Sequence, residues 1–424
     1  MSRLVYSVFF YLGMPLVWLR LLWRSRSQPG YLRHFGERHG FYPSRPDRPL
    51  LWLHAVSVGE TRAATPLIGA LLAAYPQHSL LLTHMTPTGR DAGAEVASRH
   101  PGRIVQAYLP YDLPDACARF LDHFRPQLGL IMETEVWPNV VAVARQRNLP
   151  LALINARLSP RSARGYARLA PLIRPALGSL SAVAAQSEAD ADRLRRVGAV
   201  RIRVCGNLKF DVQPAAELLD RGAAWRRSIG PRPVWVAAST REGEEALILD
   251  ALAASDVPGL LLLIVPRHPQ RFDEVAALVA SRGLKACRRS AGELPGPAHQ
   301  VWIGDSMGEM AAYYALADLA LIGGTLLPFG GQNLIEAAAC GCPVLIGPHS
   351  FNFAQASSDA LASGAARRVT DAGEAAALAA ALLADPAQLA AMRAAAATFS
   401  ELHRGATERI LALVGELMEA RAGR

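Results

Sequence analysis

Short apolar runs that recur between helical segments constrain this chain more than any other feature. In the first half they fall at 50–54, 80–83, 104–108, 128–132, 151–154 and 182–185. Runs this short and continuous suit strands buried on both faces of a parallel sheet. Helical segments lie between them, for example at 62–74, 114–124 and 139–147, so the alternation reads as a doubly wound sheet. The pattern fades across 211–233, where Pro214, Gly230, Pro231 and Pro233 gather. It then resumes, with strands at 234–238, 260–265, 286–288, 301–303, 319–322 and 344–346. Helices follow at 242–253, 271–280, 308–316, 334–339 and 355–361. An Ala-rich tail, 371–420, has helix propensity with a break at Pro386. The chain is long enough for two domains. The spacing predicts two Rossmann-like halves facing a central cleft, with ligands at the carboxyl ends of the strands. The expected boundaries are 31–212 for the first domain, 213–233 for a linker, and 234–424 for the second domain with its helical tail.

Residues 1–30 read as a separate unit. Positions 4–19 are almost wholly apolar, with Arg3 before them and Arg20, Arg24, Arg26 and Arg33 after. A spanning helix needs about 20 apolar residues; this run is slightly shorter and holds Pro15. No small-residue cleavage site follows, which argues against a signal peptide. An apolar run flanked by arginines, with no sequence neighbour to bury it, predicts an N-terminal membrane-anchoring helix, spanning or interfacial. The alternative is a core helix of the first domain. The arginine excess on its carboxyl side puts the body of the protein in the cytoplasm.

The net charge of +9 suits nucleic acid, anionic lipid or a phosphorylated substrate. No nucleic-acid module is present and the aromatics are not interleaved with the basic runs, so no nucleic-acid partner is expected. The five cysteines lack C-x-x-C spacing and are odd in number. They indicate neither a zinc knuckle nor a disulfide framework, and fit a reducing compartment.

The segment from Ile322-Gly323-Gly324-Thr325 to Gly341-Cys342-Pro343-Val344 carries the most specific chemistry. A strand runs into glycines, and Gly330-Gly331 then precede a helix near Asn333 with Glu336 in its first turn. Glycines before a helix let backbone N–H groups meet a phosphate, and a first-turn carboxylate can accept from a ribose diol. This predicts a nucleotide-sugar site. In the first half, Ser57-Val58-Gly59-Glu60 puts a carboxylate just past the first strand. It reads either as a helix-start acid with Ser57 as N-cap or as a general base whose pKa the helix start lowers. Glu133 and Glu135 follow the fourth strand. Lys209 ends the first half and reads as a surface lysine or a cleft residue. Arg267 and His268, with a proline on each side, suit a phosphate. Ser239 to Glu244 can cap a helix or meet a phosphate. Backbone at Met307 and Gly308 can read a base edge. Asp190-Ala191-Asp192 matches a metal-site spacing, but in a helical run it reads as a solvated face.

Taken together, these pieces resemble the lipid A Kdo transferases (3-deoxy-D-manno-octulosonic acid transferases). The matching elements are Ser57-Val58-Gly59-Glu60, Met132-Glu133-Thr134-Glu135-Val136-Trp137-Pro138-Asn139, Asn155-Ala156-Arg157-Leu158-Ser159, Gly206-Asn207-Leu208-Lys209-Phe210-Asp211, Pro266-Arg267-His268-Pro269, Gly304-Asp305-Ser306-Met307-Gly308-Glu309 and Asn333-Leu334-Ile335-Glu336-Ala337. The resemblance implies a GT-B fold at the inner membrane, in lipopolysaccharide biosynthesis, moving Kdo from CMP-Kdo to a lipid A precursor with inversion and without metal or cofactor. It implies Glu60 as proton acceptor and Glu133 and Lys209 as transition-state stabilisers. It places CMP contacts on Arg267 and His268, on Met307, Gly308 and Glu309, and on Asn333, Leu334, Ile335 and Glu336. The implied partners are CMP-Kdo, the lipid acceptor and an anionic membrane surface. Other readings are a GT-B enzyme acting on a UDP-sugar, an epimerase included, and a non-catalytic nucleotide-binding scaffold on the membrane.

Overall fold

The computed structural model describes residues 2–43, 46–253 and 257–423. It divides into two compact units, 1–212 with 404–424, and 213–403. The first unit holds a seven-stranded parallel sheet of β1 (Leu50–His54), β2 (Ser79–His84), β3 (Ile104–Tyr108), β4 (Leu128–Met132), β5 (Leu151–Ala156), β6 (Ala182–Ala185) and β7 (Ile202–Val204), in the order β3-β2-β1-β4-β5-β6-β7. The second holds β8 (Val234–Thr240), β9 (Leu261–Pro266), β10 (Ala286–Arg288), β11 (Val301–Ile303), β12 (Leu319–Ile322), β13 (Val344–Ile346) and β14 (Ala366–Arg368), in the order β10-β11-β9-β8-β12-β13-β14. The winding direction reverses between β1 and β4 in one unit and between β8 and β12 in the other. In doubly wound sheets such switch points hold the ligand.

Continuous burial explains why the strands were legible. All residues of β1, β4 and β9 are buried, as parallel strands covered by helices on both faces must be. Trp52 on β1 is fully buried, with its indole N–H donating to Thr83 Oγ1 at 2.8 Å.

Two boundary expectations need correction. The segment 213–233 is not a bare linker, because Ala216–Ile229 is a helix packed on helix Met310–Leu316. Gly222 permits that packing: a Cβ there would lie 2.5 Å from Ala312 O. Nor does the tail stay with the second unit. Helix Ala406–Ala422 belongs to the first, where Ile410, Leu413 and Val414 join the core of Leu67 and Leu71. Asp211 fixes its start by accepting from Gly405 N at 2.7 Å and from Thr407 N.

The amino-terminal helix runs Arg3–Ser25 and is apolar and long enough to cross a membrane. It is not without neighbours. Ser7, Met14 and Leu21 form a buried stripe. Met14 and Leu21 pack with Tyr111, Leu113 and Ala116, and the Ser7 hydroxyl and Asn139 side chain bond at 3.0–3.1 Å. Leu4, Phe9, Leu12, Leu16 and Leu19 remain exposed.

Candidate active site

In the first unit the loops after β1 and β4, the strands flanking the switch point, carry the carboxylates. Helix Val58–Ala74 starts directly behind β1 with Ser57 as N-cap. Glu60 reaches back, its Oε2 accepting from Val56 N at 2.9 Å and its Oε1 from the Ser57 hydroxyl at 3.0 Å. This reciprocal capping satisfies orphan N–H groups at the helix start, and it fixes the carboxylate's direction. Burial pushes the Glu60 carboxyl up to about 7. The Val56 bond opposes that rise, and the charges of Glu133 and Glu135 add to it. The expectation that the helix start would lower this pKa is therefore wrong. A helix terminus is worth less than about 2 kcal/mol, and burial beside two like charges outweighs it.

Glu133 is buried and adopts a left-handed backbone, φ 57°. Such strain in a non-glycine residue persists only where surrounding contacts hold it. Arg157 Nε donates to its Oε2 at 2.8 Å, and Lys209 Nζ stands 3.9 Å from its Oε1. Burial, then the Glu133 charge, raises the Glu135 pKa. Two asparagines position the lysine loop: Asn155, also left-handed at φ 49°, accepts from Leu208 N at 3.1 Å, and Asn207 accepts from Lys209 N at 3.0 Å. The first unit thus gathers Glu60, Glu133, Glu135, Arg157 and Lys209. The contacts of Asn155 and Arg157 were not visible in sequence beyond their place directly after a strand.

In the second unit the loops after β8 and β12 are tied by the last residue of the segment expected to cap a helix or meet a phosphate. Glu244 is fully buried and accepts from Gly324 N at 2.6 Å, Arg241 N at 2.9 Å and Leu326 N at 3.0 Å. The N–H groups of Gly324 and Leu326 are therefore committed to a carboxylate and do not cradle a phosphate. Gly323 is required for another reason: a Cβ there would lie 2.4 Å from Ser239 O. Gly330 and Gly331, at φ 92° and 83°, turn the chain into Asn333, the N-cap of helix Leu334–Ala339. Glu336 is exposed in its first turn, and Asn333 Nδ2 donates to it at 3.0 Å. Leu334 and Ile335 are buried, so only their backbone can meet a ligand.

Arg267 is exposed after β9. Burial, then the charges of Arg241 and Arg267, lowers the His268 pKa, so a neutral imidazole stands beside two guanidinium groups. Arg241 also lies over the Phe329 ring at 4.5 Å. Met307 is exposed and Gly308 has φ 81°. Glu309 is instead taken up by Arg221 at 2.6 Å, Arg289 at 3.0 Å and the Ser306 hydroxyl at 2.5 Å. Its carboxylate secures this turn. Asp190 also departs from expectation: it is buried, accepting from Leu158 N at 2.9 Å and pairing with Arg193 at 2.7 Å, so only Asp192 of that pair is solvated. Among the described residues no group of three or more His, Cys, Asp or Glu could hold a metal ion.

Residues 33–212 match the family model described as 3-deoxy-D-manno-octulosonic-acid transferase (kdotransferase). The chain is also 47% identical over 424 residues to the 3-deoxy-D-manno-octulosonic acid transferase of Bordetella pertussis, covering 97% of this chain and 98% of that one. The chain belongs to the 3-deoxy-D-manno-octulosonic acid transferase family. The enzyme of that name from Haemophilus influenzae is 38% identical over 363 residues, 83% of this chain and 84% of that one. Among solved structures, a glycosyltransferase from Rickettsia africae superposes with a TM-score of 0.61 at 13% identity, covering 88% of this chain and 99% of that one. The UDP-GlcNAc 2-epimerase of Neisseria meningitidis gives 0.59 at 14%, covering 87% and 100%. At such identities the likeness concerns fold alone, and the fold is GT-B. This Kdo transferase is accordingly a glycosyltransferase built on two parallel α/β sheets.

Proposed function

We propose that this Kdo transferase moves Kdo from CMP-Kdo to the bisphosphorylated, tetraacylated disaccharide precursor of lipid A, with inversion, and that Glu60 accepts the proton. The observation that carries the reading is Glu60 itself. It is a carboxylate held by reciprocal capping at a switch point, with a pKa of about 7. A base is most effective when its pKa lies near the operating pH.

The acceptor hydroxyl gives its proton to Glu60 as its oxygen bonds to the ketose anomeric carbon. The bond from that carbon to the CMP oxygen breaks, and CMP leaves with the electron pair. Positive charge develops on the sugar ring, and the Glu133 carboxylate, oriented by Arg157, can face it. In the second unit Arg241 and Arg267 offer positive charge to the departing phosphate, with the imidazole of His268 beside them as a neutral hydrogen-bond donor, and in the first unit the Lys209 ammonium stands beside Glu133. Glu336 binds the ribose diol, and the backbone at Met307 and Gly308 meets the base. The first unit takes the acceptor and the second the donor. Helix Arg3–Ser25 holds the enzyme on the cytoplasmic side of the inner membrane, where net positive charge favours an anionic leaflet at about 1 kcal/mol per nearby basic residue.

The test is purified full-length protein in detergent with the tetraacylated acceptor and either CMP-Kdo formed in situ or UDP-GlcNAc. Mass spectrometry should show Kdo added to the lipid with the first donor only. Turnover of UDP-GlcNAc with none of CMP-Kdo would overturn the reading.

A further inference from the structure

A groove in the first unit takes no part in the chemistry described so far. It has a volume of about 510 Å³ and lies between helices Pro160–Arg168 and Glu188–Arg196. That volume falls in the usual range for small-ligand sites, about 300–1,000 Å³. Its apolar lining includes Ala163, Ala167 and the buried Val197, and the exposed Arg164 and Arg196 stand on its rim. The one acid in its lining, Asp192, pairs with Arg195 at 2.6 Å, and on the same helix Asp190 pairs with Arg193 at 2.7 Å while Glu188 lies outside the lining. Among the described residues neither Arg164 nor Arg196 has an ion-pair partner. An apolar trough with two unneutralised guanidinium groups on its rim complements a phosphate attached to an acyl-bearing body.

The helix that forms one wall also reaches the carboxylates. The Tyr166 hydroxyl donates to Thr134 O at 3.0 Å, between Glu133 and Glu135. The same helix begins three residues after Arg157, which holds Glu133. A helix is about 10–12 Å across, a span that a disaccharide can bridge.

We propose that this groove is the phosphate-and-acyl subsite for the lipid acceptor, with Arg164 and Arg196 holding one of its phosphates while its sugar reaches the carboxylate loop. The proposal rests on the acceptor reading above. It commits to the acceptor and not to a bilayer phospholipid, because the wall of the groove is bonded to the loop carrying Glu133.

The test uses the full chain in detergent micelles, the bisphosphorylated tetraacyl disaccharide, and the same lipid stripped of its phosphates. The variants are Arg164→Glu with Arg196→Glu, and Arg164→Lys with Arg196→Lys. Lipid binding is measured directly, by intrinsic fluorescence, alongside transfer kinetics. Charge reversal should weaken binding of the bisphosphorylated lipid, and raise its KM, by at least about tenfold. The KM for CMP-Kdo and kcat at saturating acceptor should stay within about threefold. Binding of the stripped lipid should not change, and the lysine pair should keep most of the affinity. Unchanged binding of the bisphosphorylated lipid would overturn the proposal, as would equal losses on both lipids. So would weaker binding confined to phosphatidylglycerol vesicles, which would make the groove a bilayer contact. If the wild type transfers no Kdo, the functional reading fails while the binding arm still decides the groove.

Discussion

Replacing Glu60 by glutamine separates its two roles. As a cap, glutamine can do the same work: its carbonyl can accept from Val56 N and its amide can donate to the Ser57 hydroxyl, the contacts that Glu60 makes at 2.9 and 3.0 Å. As a base it can do nothing. A residue that only caps therefore predicts an unaffected rate. A general base predicts a fall of about 10²–10⁴-fold in single-turnover transfer, with CMP-Kdo binding unchanged. The pKa adds a second arm. Moving a carboxyl from 4.5 to about 7 corresponds to a preference for the neutral form of up to about 3 kcal/mol. Below pH 4.5 both folded and unfolded wild type are protonated and there is no penalty. As pH rises from 4.5 to 7 the unfolded chain ionises first, so the folded state loses stability, and above 7 the loss is complete. Glutamine never ionises. Glu60→Gln should therefore match wild type in unfolding free energy at pH 4 and exceed it at pH 8, by up to about 3 kcal/mol. Wild-type kcat/KM should rise through an acid limb near 7 that the variant lacks. A variant within a few-fold of wild type in transfer, or one whose stability difference is the same at both pH values, would refute the reasoning.

Deleting residues 1–25 should release the enzyme from membranes while activity on detergent-solubilised acceptor persists; losing the buried Met14 and Leu21, at about 2 kcal/mol each, should lower Tm by about 10 °C in a thermal melt. Glu336→Gln should raise the KM for CMP-Kdo more than it lowers kcat, since the carboxylate is exposed in its turn with the Asn333 amide as its neighbour. Glu244→Gln puts an amide against N–H groups that now share two carboxylate oxygens, so it should cost about 1–3 kcal/mol in chemical unfolding and weaken CMP binding, measured by calorimetry.

Much of the architecture could be read directly because parallel strands covered on both faces are continuous apolar runs. The expected strands at 50–54, 104–108 and 128–132 coincide with β1, β3 and β4. Helix Ala216–Ile229 was hidden by its flanks, Pro214 and Pro231, and by Gly222, which reads as a breaker but serves close packing on Ala312. The return of Ala406–Ala422 to the first unit is a tertiary choice that no local pattern encodes. Chemistry divides the same way. Glu60 and Glu133 stand just past strands and could be picked out as candidates, whereas Lys209 read equally as a surface lysine; the structure brings all three into one unit. Glu244 acts on Gly324, 80 positions away, so the glycines looked open to a ligand when they were already bonded. The Glu60 pKa was misjudged because the helix start is local and visible, whereas burial and the charges of Glu133 and Glu135 arrive only with the fold.

The central claim is inverting transfer of Kdo from CMP-Kdo to a phosphorylated lipid acceptor. It is tested most directly by NMR of the purified lipid product made by the wild-type chain from CMP-Kdo of known configuration. The account predicts a new ketosidic linkage whose anomeric configuration is opposite to that of the donor, as a single displacement assisted by Glu60 requires. A product that retains the donor's configuration would contradict it.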